Sequence, residues 1–358
     1  MANNPKNVEF SQVIEELLDN SKIFSPVYLH RFSDLTALDL KALKEAWPKV
    51  DPRRRYNLME DLEELSEADT LMCFDELCFM ALEDEEPQVR AAAIRMLWET
   101  NDTGFSRRLV EIAENDPDEI VRAAAASGLG LYIYLGEIEE IPQEQLNQLE
   151  DTLLKITQGS DTRLVRRRAL EALGFSSRPE VPGLIERAYI NKELDWRTSA
   201  LFAMGRSADT RWKKQVIDSL GDPEPEIRFQ AIRAAGELEL KSARQPIMEL
   251  LADAENREDD DLLRAIIWAL SQIGGNNVRK VIETLLDQAK DPEEEEFITG
   301  ALDNLGLTEG MDIFGMLDID IDEDLDDDID TYDLDFTIAR DLLSGEDEED
   351  DDDEDDHF

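Results

Sequence analysis

The sequence predicts an all-α fold: a right-handed α-solenoid of helical hairpins with a disordered acidic C-terminal tail. Three observations predict it. A ten-residue apolar pattern recurs through the middle of the chain at steps of 31 to 44 residues, a period typical of solenoids. Acidic turns, often with proline, precede most copies of this pattern. Residues 316–358 contain 23 acidic residues and one basic residue, and no segment this charged buries a core.

Composition restricts the class of partner. The 358 residues carry a formal net charge of −49, and such a charge opposes binding to a phosphate backbone, so we expect no nucleic acid partner. Apolar residues make up 42% of the chain, which is enough for a folded core. No apolar run is long enough to span a membrane, and the first ten residues lack the features of a signal peptide. We therefore expect a cytoplasmic protein without a membrane partner.

The repeats define three segments: an N-terminal helical arm over 1–32, a repeat solenoid over 33–306, and a largely disordered acidic tail over 307–358. The closing residues of successive copies lie 32, 44, 31, 31, 38 and 32 residues apart. The copies are Val89–Trp98, Val121–Gly130, Val165–Gly174, Trp196–Gly205, Ile227–Gly236, Ala265–Gly274 and Phe297–Gly306.

Each copy has the pattern of an amphipathic helix. Its first, fifth, sixth and ninth residues are apolar and fall on one stripe at 100° per residue, which predicts the buried face. Alanine at the fifth position permits close approach of a neighbouring helix. Glycine at the tenth position is typical of a helix C-terminus, and proline before the copy is typical of a first helical turn. Each copy is therefore the second helix of a hairpin.

The recurring Asp/Glu-Pro-x-x-Val-Arg-x-x-Ala resembles the HEAT-like repeats of the bacterial type also found in phycobilin lyases. The resemblance covers Ser33 to Gly306. It implies that the arginine at the second position reaches an acidic turn residue of a neighbouring repeat, so that these side chains form a structural ladder. The ladder arginines are Arg90, Arg122, Arg166, Arg197 and Arg228, and isoleucine replaces arginine in the last two copies.

Few residues offer catalytic or metal-binding chemistry. The only histidines are His30 and His357, near opposite ends of the chain. Cys73 and Cys78 lie five residues apart with no nearby histidine, a spacing that does not suit a zinc site. We expect no enzymatic activity, no cofactor and no metal. The di-iron hydroxylases and DNA glycosylases built on similar repeats need ligands or a basic face that this sequence lacks.

The third, fourth and seventh residues of each copy lie opposite the buried stripe and predict an exposed face. Four arginines and only two acids occupy these positions, beside aromatic residues, a composition typical of binding hot spots. Packing between repeats is the alternative explanation for its apolar members. The candidate partner-binding residues are Arg95, Arg167, Arg168, Phe202, Phe229, Arg233, Ile267 and Trp268.

The tail holds one helical motif, in which Phe336, Leu342 and Leu343 share a face. We expect a non-enzymatic scaffold that holds a protein segment, a basic one among the candidates, in its concave groove. Two alternatives stay open: a bilin lyase or its chaperone subunit, and an acidic shield or mimic for basic partners. Partner identity and oligomeric state have no signal in the sequence.

Overall fold

The computed structural model describes residues 8–98, 100, 104–252 and 259–315, with the backbone alone for 308–315. These residues form α-helices, short 3-10 helices and connecting turns, without a β-strand among them. The fold is the predicted α-solenoid of helical hairpins. No helix in the described ranges combines the length and apolarity that crossing a membrane requires.

The α-helices follow one another with short connections. In chain order they are α1 Phe10–Leu18, α2 Ala37–Ala46, α3 Pro52–Ala68, α4 Asp75–Ala81, α5 Pro87–Met96, α6 Phe105–Asn115, α7 Glu119–Glu137, α8 Gln143–Gln158, α9 Arg163–Ala172, α10 Val181–Tyr189, α11 Leu194–Arg206, α12 Lys213–Leu220, α13 Pro225–Glu237, α14 Arg244–Ala252, α15 Asp260–Ile273, α16 Val278–Asp287 and α17 Pro292–Gly315. A 3-10 helix over Pro26–Phe32 lies between α1 and α2.

The chain forms two compact units, Met1–Leu184 and Ile185–Phe358, and the boundary falls within α10. In unit 1, α4, α6 and α8 each pair with the following helix, and α3, α5, α7 and α9 stack in succession. In unit 2, α12, α14 and α16 each pair with the following helix, and α11, α13, α15 and α17 stack in succession. Both units therefore repeat one hairpin arrangement.

The N-terminal segment packs on itself, and it also contacts α2 and α3. Phe10 of α1 contacts Phe32 edge to face, with ring centroids 5.8 Å apart, and Phe24 contacts the same ring at 6.1 Å. Phe10, Phe24 and Phe32 are all buried. These contacts give the described part of the predicted arm an apolar core of its own.

Turn residues set where the helices begin. Proline is the first residue of α3, α5, α13 and α17, where its missing N–H costs no intrahelical hydrogen bond. The Asp118 carboxylate accepts from the Ile120 N–H at the start of α7, and that of Asp259 accepts from Leu262 at the start of α15. These acids also favour the positive end of the helix dipole.

The closing glycines do not generally end helices, contrary to the prediction. Gly205, Gly236 and Gly306 lie inside α11, α13 and α17, and only Gly274 follows its helix directly with a positive φ, of 64°. A Cβ on Gly236 would lie 2.9 Å from the Ala269 Cα of the next stacked helix. Glycine at this position therefore permits close packing between stacked helices.

The 44-residue step corresponds to a longer hairpin. Helices α7 and α8 have 19 and 16 residues, and the extra turns of α7 contact both neighbouring repeats. The Tyr132 hydroxyl donates to the Thr100 carbonyl at 3.3 Å, and the Tyr134 ring lies 5.5 Å from that of Phe175. The inserted residues therefore extend the hairpin without interrupting the stack.

Candidate protein-binding surface

The repeat arginines bind the turns that precede the stacked helices. Arg90 donates to the Asp116 carboxylate from Nη2 at 2.8 Å and from Nε at 3.0 Å. Its Nη1 donates to the carbonyl of Asp84, in the turn of its own repeat, at 2.8 Å. The Arg90 and Asp116 side chains are 12% and 11% exposed. One guanidinium therefore joins two successive turns in a bidentate, largely buried ion pair.

The same arrangement recurs along the chain. Arg122 contacts Asp161 at 2.8 and 3.0 Å and donates to the Asp116 carbonyl at 2.8 Å. Arg197 pairs with Asp222. In three turns the aspartate also accepts from the backbone N–H two residues on, as Asp116 does from Asp118 at 2.9 Å. Each such aspartate therefore fixes its turn and receives the arginine of the preceding repeat.

The other two ladder arginines contact carbonyl groups. Arg166 donates from Nε to the Thr157 carbonyl at 3.0 Å. Arg228 donates to the carbonyls of Asp222 and Pro223, both at 3.0 Å.

A further pair precedes the predicted ladder. Arg55 Nε lies 3.3 Å from Asp84 Oδ2, and the two side chains are 6% and 0% exposed. The Trp47 indole donates to the same oxygen at 2.6 Å. The signal in the sequence is the acidic turn Asp51-Pro52, because Arg55 follows this proline by three residues, as Arg90 follows Pro87.

The ion pair with Arg122 changes the pKa of one turn aspartate, Asp161. The hydrogen bond from Arg122 lowers the pKa of Asp161 below its ordinary value, against the effect of partial burial. Hydrogen bonds to the ionised form have this effect because protonation would remove them. The pair of Arg122 and Asp161 therefore contributes most to stability when this carboxylate is ionised.

The predicted exposed face is partly buried, and Ile267 is its clearest error. Ile267 is 1% exposed, and Ala91, Ala92 and Ser199 at equivalent positions are also buried. Within the two units, α5, α7, α13 and α15 each pack against one stacked helix before and one after, and such contacts cover much of the third and fourth positions. Packing between repeats, the alternative explanation, applies to Ile267.

Three predicted binding arginines lie in unit 1 and make ion pairs or other contacts there. Arg95 contacts Glu63 through two bonds of 2.5 and 2.6 Å. Arg168 contacts Glu171, three residues on, at 2.6 Å. Arg167 is half-buried beside it. No aromatic residue of the predicted set belongs to this unit.

Unit 2 brings the remaining predicted residues together on three stacked helices. Each helix carries an aromatic residue and an arginine four residues apart, on one helical face. The pairs are Phe202 with Arg206 on α11, Phe229 with Arg233 on α13, and Trp268 with Arg264 on α15. We call these six residues the aromatic–arginine surface. All three aromatic side chains are half-buried.

Close contacts lie within the first pair and between the second and third pairs. The Arg206 guanidinium lies 4.1 Å from the Phe202 ring centroid, and that of Arg233 lies 4.6 Å from Trp268 on the next helix. Both distances fit cation–π interaction. Arg264 lies 5.2 Å from the ring of Phe297 on α17. Contacts between arginine and aromatic rings therefore run from α13 through α15 to α17.

Glu237, the last residue of α13, lies beside this surface and close to Gly205 of α11. Its Oε1 lies 3.8 Å from Arg233 Nη2, and a Cβ on Gly205 would lie 2.6 Å from its Oε2. Burial raises the pKa of Glu237 above its ordinary value, although the charges of Arg233 and Arg206 lower it in part. The carboxylate therefore offsets part of the arginine charge in a poorly solvated position.

The sequence analysis missed Arg206, Arg264 and Glu237. Arg206 follows the closing glycine and Arg264 precedes the apolar pattern, so both fall outside the ten-residue copies. Their spacing of four residues from Phe202 and Trp268 was the signal that could have identified them.

The described residues include no group of three or more His, Cys, Asp or Glu side chains placed to hold a metal ion. Cys78 is buried, and Cys73 is half-buried just before α4. Burial is the main cause that raises the pKa of the Cys78 thiol well above its ordinary value.

The predicted tail motif of Phe336, Leu342 and Leu343 lies outside the described residues.

Several solved structures resemble this chain, all at low sequence identity. The CpcE–CpcF complex of phycocyanin lyase from Nostoc is 17% identical, with a TM-score of 0.48, over 80% of this chain and 97% of that one. The Escherichia coli protein YIBA is 21% identical, with a TM-score of 0.37, over 68% and 96%. Yeast importin-β, Kap95p, is 12% identical, with a TM-score of 0.37, over 87% and 44%.

Comparison with curated proteins gives no match. The family described as HEAT repeats matches the chain in five overlapping stretches, 40–130, 74–174, 106–205, 181–258 and 214–306. Together these matches span 40–306, which is most of the chain and nearly all of its repeats. The protein therefore belongs to the HEAT-repeat family.

Proposed function

We propose that this protein is a non-enzymatic cytoplasmic scaffold that binds a segment of another protein on its aromatic–arginine surface. The observation that carries the proposal is the alignment of three aromatic–arginine pairs on α11, α13 and α15. Aromatic residues and arginine dominate binding energy because they combine large apolar area with directional polar contacts. Stacked helices also hold such residues at a fixed spacing, which suits an extended segment.

Partial exposure supports a role in binding beyond packing alone. The side chains of Arg233 and Arg264 are 44% and 42% exposed, and Phe202, Phe229 and Trp268 each keep part of their surface accessible. A partner segment would cover this remaining area. The guanidinium groups of Arg233 and Arg264 carry five N–H donors each and are partly exposed, which suits contact with an acidic or carbonyl group of a partner.

The test is the affinity of a purified partner, first identified by pull-down, for a variant with Phe202, Phe229 and Trp268 all changed to serine. We expect affinity to fall at least about 30-fold, the effect of losing a hot-spot cluster worth more than ~2 kcal/mol. Circular dichroism checks that the variant keeps its helical content.

A matched control changes three exposed apolar residues elsewhere, Leu38, Leu71 and Ile190, to serine. This control is expected to bind as the wild type does. Because Trp268 also packs on Gly236, the single change Arg233→Glu provides a second variant at a well-exposed position. Equal affinity for wild type, triple variant and Arg233→Glu would refute the proposal. Binding that depended on the tail alone and disappeared at high salt would favour the acidic shield instead.

A further inference from the structure

We propose that a cleft between α3 and the turn over 20–24 binds a basic segment of a partner protein, one that carries lysine or arginine beside an apolar residue. We call it the acidic cleft. It lies in unit 1, apart from the residues of the aromatic–arginine surface, and goes beyond the proposed function. Three observations carry the proposal: the shape of the cleft, its excess of carboxylates, and an exposed isoleucine in its lining.

The acidic cleft has a volume of about 950 Å³ and is built on a fixed turn. The Arg54 guanidinium donates to the carbonyls of Lys22 at 2.8 Å and Glu16 at 3.1 Å, and it lies 5.7 Å from the ring centroid of Phe24. Phe24 and Leu58, both buried, contribute to the lining. These contacts hold the turn against α3, so the cleft needs little ordering when a partner binds.

Carboxylates outnumber cations in the cleft. Six carboxylates and three cations line it, which leaves three excess negative charges. Adding the charged partners of these residues, Glu16, Asp19 and Arg95, raises the excess to four. The negative sign therefore does not depend on where the boundary of the cleft is drawn. The six carboxylates are those of Asp51, Glu60, Asp61, Glu63, Glu64 and Glu67.

The cations of the lining do not neutralise these carboxylates. Lys22 Nζ lies 2.8 Å from Glu16 Oε2 and 3.7 Å from Asp19 Oδ2, and both of these acids lie outside the lining. Arg54 donates to backbone carbonyls, as described above. The exposed side chain of Arg53 makes no ion pair with a residue in the described ranges. The negative charge of the α3 wall is therefore left for another molecule.

Three carboxylates on α3 have no hydrogen bond or ion pair with any described residue: Asp61, Glu64 and Glu67. Their spacing of three residues places them along one side of the helix, where like charges repel each other. Burial and the charges of Glu64 and Glu60 raise the pKa of Asp61 above its ordinary value. A cationic group bound here would relieve this repulsion, which α3 otherwise retains at a cost in stability.

The lining favours a peptide segment over a small cation. Among the described residues no acidic group is placed to hold a metal ion. Ile23 is 92% exposed and offers an apolar contact that a polyamine would not need. Lining residues on α3 run from Arg53 to Glu67, about 21 Å along the helix, which is the length of about six residues of extended chain.

The occupant is a segment of a different protein. The tail over 316–358 has a single basic residue, so it offers almost no positive charge to the cleft. A second copy of this chain carries a net charge of −49 and is repelled as a whole. A partner with clustered lysine or arginine is attracted by both the cleft and the overall charge.

The test is photo-crosslinking of the full-length chain with a probe peptide of alternating lysine and leucine, in which one leucine is replaced by p-benzoylphenylalanine. Peptide mapping locates each crosslink, so attachment to the acidic tail is counted separately. Within residues 8–315 we expect crosslinks to concentrate on the turn over 20–24 and on α3.

The variant Asp61→Asn, Glu64→Gln and Glu67→Gln removes three charges from the cleft. It is expected to lower the crosslink yield at these positions at least about fivefold, because the cationic side chains of the probe lose their partners. Relief of repulsion along α3 should preserve its helical content by circular dichroism. The matched control is Asp218→Asn, Glu283→Gln and Asp287→Asn, three exposed carboxylates outside the cleft. It changes the net charge equally and is expected to lose less than about twofold.

A second pair of variants tests the apolar contact. Ile23→Ser is expected to lower the same yield at least about threefold, whereas Leu38→Ser, at another exposed leucine outside the cleft, should leave it unchanged. Crosslinks spread over the exposed acids of both units, or equal losses in the two carboxamide variants, would overturn the proposal. Displacement of the probe by spermine at an equal concentration of positive charge would overturn the choice of a peptide as occupant. The proposed function concerns unit 2 and stands or falls separately, with the Phe202, Phe229 and Trp268 variant.

Discussion

Removal of one ladder arginine should destabilise the protein far more than removal of an equally well-paired surface arginine. We predict that Arg90→Ala lowers the free energy of unfolding by about 2–4 kcal/mol. The change deletes the 2.8 and 3.0 Å bonds to Asp116 and the bonds to the carbonyls of Asp84 and Glu85. It also leaves Asp116, 11% exposed, with a carboxylate that has lost its counterion.

The matched control is Arg108→Ala. Arg108 also contacts two carboxylates, those of Glu83 and Glu111, but these side chains are 71% and 62% exposed. An exposed pair contributes about 0–1 kcal/mol because water solvates its charges almost as well. The two variants therefore remove the same side chain from buried and exposed versions of one interaction.

Urea unfolding followed by circular dichroism gives the two free energies, and hydrogen exchange of α5 and α7 shows whether the loss is local. Local measurement matters because repeat arrays do not always unfold in one step. The cycle of Arg90→Ala, Asp116→Ala and the double variant isolates the pair, with an expected coupling of about 1–3 kcal/mol. Equal, small destabilisation by Arg90→Ala and Arg108→Ala, or a coupling near zero, would refute the role of the ladder.

Two further predictions concern pH and packing. The pKa of Asp161 in the folded protein lies below its ordinary value of 3.8. Its contribution to the free energy of unfolding is therefore complete above that pH and is lost as pH falls through the folded pKa. Because Arg122→Ala removes the cause of the shift, this variant should lose less stability than wild type does in an acid titration below about pH 4. An acid titration identical to that of wild type would contradict this. Gly236→Ala should lower the free energy of unfolding in urea by about 1–3 kcal/mol, because the new Cβ would lie 2.6 Å from the Trp268 ring. The control is Gly300→Ala, whose Cβ would meet open space; it should leave stability unchanged or raise it by up to about 1 kcal/mol. Similar values for both alanine variants would contradict the predicted stacking.

The repeat pattern predicted the fold because period, apolar stripe and turn chemistry all specify the same hairpin. The resemblance to HEAT-like repeats, rather than the pattern alone, implied that Arg90 and Arg122 reach acidic turn residues, and both do so. The glycines were interpreted less well. A glycine at a helix end and a glycine at a helix contact look alike in sequence, and only the position of Ala269 beside Gly236 distinguishes them.

The exposed face was the least predictable feature. Helical periodicity places Ile267 and Trp268 on one side of α15, but it does not show how much of that side the neighbouring helix covers. In the structure Ile267 is buried and Trp268 is half-buried under Arg233. Burial between stacked helices depends on the spacing of the repeats, which no single copy encodes. Arg206 was overlooked for a different reason, because it follows the closing glycine and lies outside the ten-residue copy.

Hydrogen exchange of the purified complex, with the identified partner bound, tests the central claim most directly. The account predicts slower exchange on binding in α11, α13 and α15, which carry the aromatic–arginine surface. It predicts no change in α4 and α6, whose residues belong to unit 1 and carry no part of that surface. Protection confined to unit 1, with the exchange of α11, α13 and α15 unchanged by a saturating partner, would contradict the account.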